Sequence, residues 1–401
     1  MSTETHYQKN QVIRFLGASF LGFLAGHLTN YSVILYAQDV WNADALAGLG
    51  FGLCFGVPLF LGWFAGAWCD SYSPQKLAQL AHVSFLVSLG LLHLSSRVEG
   101  EFAILFYLFG ACFAGIGWSI LAPARMSLLG RLAGDKQVKL AVVFNILVML
   151  GFGAAPPILA FCRKINSWEM VHITGAFLFL IAMILLVGIH TEGLGKSSSA
   201  WDRIIRGVTY AKNHPLLKQT LLFAIVIYCS MGPVQVMMPR YAKGVLELGE
   251  LERGFFLGAL AIALLIGGGM SLKLAKFFGY GQMILLAGLI CGIGLIGIGL
   301  SDNLWVSIVF LLFSGFGAGA SISLIVAILQ SEVIAEYRGR LVSLYTITSQ
   351  VVPATSGLLS GLLLVKVPIA TAVLSAGASI TLIVIFSGLR LTTLRNYKTK
   401  N

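Results

Sequence analysis

A chain of 401 residues that is 57% hydrophobic and only 11% charged excludes a soluble globular protein, in which about 25% of residues are charged. The formal net charge of +11 and the pI near 9.4 report membrane topology, as the distribution below indicates, and not a nucleic-acid partner. A bilayer core about 30 Å thick takes about 20 apolar residues per helix, and windows of that kind recur along the whole chain. In order they are 12–37, 45–68, 77–96, 102–123, 139–162, 169–190, 217–240, 254–275, 281–300, 304–327, 341–364 and 367–389. The pattern predicts an all-α membrane protein with twelve transmembrane helices.

The N-terminal MSTETHYQKN runs into the first window and reads as a retained helix, not a cleaved signal peptide. If both termini and the connectors after windows 2, 4, 6, 8 and 10 face one side, that side holds 20 Lys/Arg and 7 Asp/Glu, against 7 and 9 on the other. The positive-inside bias then places both termini in the cytoplasm. The longest connector, 191–216, opens Gly/Ser-rich and continues from Trp201 to Lys212 as a basic amphipathic segment. It reads equally as an interfacial helix in the headgroup region or as a plain linker helix. It divides the chain into residues 1–190 and 217–401, six windows each.

These two parts echo one another. GAWCDSYSPQK (66–76) after window 2 corresponds to GMSLKLAKFFG (269–279) after window 8, with Asp70 opposite Lys273. Windows 4 and 10 carry GACFAGIG (110–117) and GFGAGAS (315–321). Window 5 has Asn145 and Pro156–Pro157; window 11 has Tyr345, Thr346, Ser349, Gln350 and Pro353. Two pseudo-symmetric six-helix bundles of this kind point to a secondary transporter with its site between them.

On these features the whole chain resembles the major facilitator superfamily. Gly66 and Asp70 resemble its signature loop, with Lys76 as the remaining basic member; Ser71, Ser73 and Pro74 depart from the usual basic and glycine positions. RGVTYAKNHPLLKQTLL (206–222) and EYRGRLVSLYTI (336–347) resemble the efflux branch that includes the enterobactin and macrolide exporters. WCDSYSPQK and APARMSLLGRL carry a more distant likeness to the lysophospholipid transporter. The resemblance implies that Asp70, with Lys76, helps lock an outward-open state. It also implies that the first and second helices of each triplet face a central cavity.

Polar residues on those helices fall into stripes. In LAGHLTNYS (24–32), His27, Asn30 and Tyr31 stand at i, i+3 and i+4, with Ser19 two turns earlier. Tyr228, Met231, Gln235 and Met238 share a face of window 7; Asn145 pairs with Met149 and Tyr345 with Ser349. Polar side chains are costly in hydrocarbon and normally face a bundle interior or a watery cavity. The expected chamber is polar and uncharged, with methionine and aromatic walls suited to a bulky amphipathic molecule. Arg125 is expected to anchor at the headgroups, which leaves no cation at depth. No Asp or Glu falls clearly within a window, so His27 is the candidate for proton coupling, with unperturbed pKa about 6.5; Asp39 is a lesser one. By resemblance, relatives often carry an acid at the position of His27.

Other chemistry finds no support in the sequence. It has no Walker-type loop, and GIGLIG (292–297) follows no strand, so it is assigned to close helix packing. The six cysteines form no C-x-x-C pair, and neither metal nor cofactor is expected. The reading is therefore a monomeric transporter of the bacterial inner membrane, not an enzyme. It would export a siderophore-like or drug-like molecule by alternating access with proton antiport. A lysophospholipid flippase and a non-transporting sensor or scaffold are the alternatives.

Overall fold

The computed structural model describes residues 2–133, 137–165, 167–189, 191 and 200–398. Its helices in chain order are α1 (Ser2–Asp39), α2 (Asp44–Gly56), α3 (Pro58–Ser71), α4 (Pro74–Ser95), α5 (Glu101–Ala133), α6 (Gln137–Ile165), α7 (Trp168–Leu186) and α8 (Ala200–Asn213). They continue as α9 (Pro215–Tyr228), α10 (Met231–Gly244), α11 (Glu250–Phe278), α12 (Tyr280–Gly299), α13 (Leu304–Glu332), α14 (Ala335–Leu364), α15 (Ile369–Arg390) and α16 (Thr392–Arg395). No strand occurs among the described residues, and twelve helical stretches are long and apolar enough to cross a membrane. Two spans are interrupted where proline removes a backbone donor. Pro58 separates α2 from α3, and Pro233, just inside α10, cannot donate to the carbonyl of Cys229 at the break after α9.

Several helices outrun their apolar windows. The 33 residues of α5 span about 50 Å at 1.5 Å per residue, well beyond a bilayer core of about 30 Å. The hydropathy window ends before the helix does: beyond it, Ala124, Leu128, Leu129 and Leu132 of α5 are still buried in the bundle. The basic amphipathic segment of the connector is helical, as α8, and Ile205 and Val208 on it are exposed.

Packing follows small residues. Ser84, Ser88 and Ser95 on α4 donate to the carbonyls of Phe113, Gly110 and Ala103 on α5 at 2.7, 2.7 and 2.8 Å. This is an antiparallel ladder that fixes the register of the pair. Such bonds between helices contribute about 0.6 kcal/mol each. In the last six spans, Gly319 lies so close to α11 that a Cβ there would stand 2.2 Å from the Leu264 carbonyl oxygen. GIGLIG likewise sets Gly294 against Ser314 of α13 and Gly292 against Thr381 of α15. The close-packing assignment is the one the structure supports.

The first six and last six spans meet along two seams. On one, Gly48 of α2 faces Gly361 of α14, and a Cβ on Gly48 would fall 2.9 Å from the Gly361 Cα. On the other, Gly153 of α6 faces Ala261 of α11, and Gly254 of α11 faces Pro156 and Ala160. These contacts crowd toward the end of the bundle away from the chain termini.

Candidate functional site

The LAGHLTNYS stretch is held by residues of two other helices. The His27 ring lies 5.2 Å from that of Trp118 on α5 and 5.0 Å from that of Phe152 on α6. Trp118 Nε1 donates to Asn30 Oδ1 at 3.1 Å, and the Tyr31 ring lies 6.1 Å from Phe152. Asn30 and Tyr31 are buried and His27 is half-buried. His27 Nδ1 and Asn30 Nδ2 have no hydrogen-bond partner. A buried donor or acceptor left unpaired costs about 1–3 kcal/mol.

A second group joins α9 and α14. The Tyr228 and Tyr345 hydroxyls are 2.6 Å apart, with rings 5.8 Å apart at 60°. Ser349, one turn beyond Tyr345, lies within hydrogen-bonding reach of the Tyr228 hydroxyl. On α10, Met231 is half-buried, while Gln235 and Met238 are buried; Gln235 Oε1 has no partner. Tyr31, Tyr228 and Met238 belong to one apolar core that crosses from the first six spans to the last six. The structure does not bring Asn145 into either group. It is exposed on α6, one turn from half-buried Met149. Trp118 and Phe152 carry no sequence signal as site residues, because only the fold places them against His27.

The signature loop gives less. Lys76 is exposed on α4. The surroundings of Gly66 and the side chain of Asp70 lie outside what is described. Arg131 of α5 donates to the Cys69 carbonyl at 3.1 Å, tying the ends of α5 and α3 together.

Asp39 occupies a different setting from an isolated proton carrier. At the far end of α1 it accepts from Arg253 at 3.0 and 2.7 Å, from Lys243 at 2.8 Å and from Arg163. Arg163 and Arg253 also pair with Glu250, at 3.1 and 2.9 Å. Nearby, Arg240 pairs with Asp44 at 3.3 Å, and Gln38 donates to the Val236 carbonyl at 2.9 Å. Asp39, Asp44 and Arg163 belong to the first six spans; Arg240, Lys243, Glu250 and Arg253 belong to the last six. This ionic latch closes the far end, on the same side as the glycine-lined seams.

Arg125 overturns the headgroup expectation. Its side chain is buried on α5, eight residues before the helix ends, about 12 Å along the axis. The guanidinium stands 4.1 Å over the Phe23 ring, and Nη2 is 3.4 Å from His82 Nε2. Among the described residues it has no carboxylate partner, and Nη1 is unpaired. The sequence misplaces it because the apolar window ends near Pro123, whereas the helix runs on to Ala133.

Residues 15–357 match the Major Facilitator Superfamily. The chain belongs to that superfamily. Among solved structures, a POT family transporter in complex with a thioalcohol-conjugated peptide is similar at a TM-score of 0.77, with 12% identity over 96% of each chain. The nucleoside transporter NupG gives 0.72, with 14% identity over 97% of this chain and 100% of that one. A bacterial homologue of the iron transporter ferroportin, in an inward-facing state, gives 0.69, with 14% identity over 94% and 98%. No curated protein matches the chain in sequence. At such identities the likeness is one of fold. The chain is a multi-pass membrane secondary transporter of the major facilitator superfamily, and not an enzyme.

Proposed function

We propose that the chain exports an amphipathic small molecule, siderophore-like or drug-like, by alternating access coupled to proton antiport. What supports the substrate class is the clustering of polar and aromatic side chains at mid-span: His27, Asn30 and Trp118 in the first six spans, and the Tyr228–Tyr345 pair in the last six. Flat rings with polar tips take up a large apolar body while still satisfying its hydroxyls or amides. Tyr31, Met149, Met231, Gln235, Met238 and Ser349 complete the proposed substrate-binding set; Asn145, exposed on α6, is left out of it.

The unit boundaries proposed are 1–190 and 217–401, joined by 191–216, in a monomer of the bacterial inner membrane with both termini in the cytoplasm. Export is supported by the branch likeness of residues 206–222 and 336–347. The ionic latch supports alternating access, because a clasp between the two sets of spans must break for the far end to open. His27 is proposed to carry the coupled proton, and Asp39 to respond to protonation by loosening the latch. Asp70, Gly66 and Lys76 are proposed to stabilise the opposite state.

Reconstituted vesicles with an imposed pH gradient, given labelled siderophores, drug-like cations and lysophospholipids, test the reading. The expected result is gradient-driven accumulation of a siderophore-like or drug-like compound. Movement of lysolipid alone would favour the flippase, and no flux of any probe would favour a sensor or scaffold. In the same assay Gln235→Ala is expected to shift the relative affinity of two cargoes by at least about fivefold, the scale of one lost hydrogen bond. Unaltered preference across the panel would remove Gln235 from the site.

A further inference from the structure

Four buried polar atoms without partners lie along one seam, where α1 meets α4 and α5: His27 Nδ1, Asn30 Nδ2, His82 Nδ1 and Arg125 Nη1. The only charge among them is that of Arg125. Gly22 makes room for it, since a Cβ there would fall 2.0 Å from Arg125 Nη2 and 2.8 Å from His82 Nε2. What faces the guanidinium is Phe23, with Phe144 behind it, and His82, whose ring packs on Phe179 of α7. A ring face and one imidazole compensate only part of the lost hydration of a buried cation. Among the described residues no carboxylate faces the guanidinium.

We infer that Arg125 forms an anion subsite in the first six spans, taking the carboxylate of an aromatic organic acid whose ring rests on the Trp118 and Phe152 side of His27. Geometry supports the aromatic part. The Trp118 ring lies 6.0 Å from Phe23, which carries the guanidinium, and 5.2 Å from His27. A planar acid would therefore meet a cluster of tilted aromatic rings on the way to the charge. The guanidinium fork suits a carboxylate in bidentate geometry. The inference rests on the transport reading only for the route by which the acid arrives; binding is measurable without flux.

The test uses the purified full chain in nanodiscs, with benzoate, its neutral analogue benzamide, and sodium chloride as probes. Thermal unfolding and Trp fluorescence report binding. Benzoate is expected to raise the unfolding temperature saturably and to change Trp fluorescence, with benzamide and chloride at least tenfold weaker. Arg125→Gln is expected to abolish the benzoate response, Arg125→Lys to retain part of it, and Gly22→Ala to weaken it at least tenfold by displacing the guanidinium. Equal responses to benzoate and benzamide in the unaltered protein would overturn the subsite, even if Arg125→Gln fails to fold. A chloride response equal to that of benzoate would overturn the organic-acid assignment, and an undiminished response in Arg125→Gln would overturn the residue. Benzoate binding with no pH-driven flux of any cargo keeps the subsite and removes the antiport reading.

Discussion

Replacing Asp39 by asparagine is expected to open the far end of the transporter. Asp39 and Arg253 are each only 4% exposed, whereas Lys243 is 47% exposed. The Lys243 contact is therefore worth little, as exposed ion pairs generally are. Removing one partner of a buried pair costs about 3–5 kcal/mol. Here Arg253 keeps Glu250 as a second partner at 2.9 Å, so the expected loss lies lower, about 2 kcal/mol or roughly 30-fold in the closed-to-open ratio. A cysteine at Met238, buried two residues before Arg240, reports the change in a background lacking the native cysteines. Its labelling by a membrane-impermeant maleimide should accelerate by at least tenfold in Asp39→Asn and in Arg253→Gln. The double variant should gain little more, because both changes remove the same contact. Unchanged labelling in both single variants would show that the glycine-lined seams alone hold the far end shut.

How much of this was legible beforehand depends on the range of the contact. The spans follow from local hydropathy, and the grouping of His27, Asn30 and Tyr31 follows from helical spacing; both survive in three dimensions because they are properties of one helix. The latch is not of that kind. Asp39, Arg163, Lys243, Glu250 and Arg253 stand at the ends of four helices, and no spacing along the chain marks them as neighbours. Asp39 read alone resembles a proton carrier; surrounded by three cations, it is first a clasp. Arg125 escapes local sequence patterns for a different reason. A window average ends where polar residues begin, but α5 continues for ten residues beyond Pro123, carrying the arginine inside the bundle instead of out to the headgroups. The partners of His27 were hidden too, since Trp118 and Phe152 look like ordinary apolar residues of their own helices.

Removal of the imidazole at position 27 is expected to have the other large effect, and two substitutions separate its roles. His27→Ala deletes a ring packed between Trp118 and Phe152, 5.2 and 5.0 Å away. It should reduce transport by at least tenfold while the protein still reaches the membrane. A loss of that size alone would fit either a packing role or a chemical one. His27→Gln keeps a polar side chain of similar reach but cannot titrate between pH 5 and 8, as imidazole does. If His27 carries the coupled proton, His27→Gln should bind cargo with nearly unaltered affinity yet lose accumulation against a gradient. Its exchange of cargo across the vesicle wall should also become independent of pH. Accumulation in His27→Gln that still follows the imposed pH gradient would place the proton elsewhere. Asp39 would then be the next group to examine, because protonating it would release Arg253 and couple proton uptake directly to the latch.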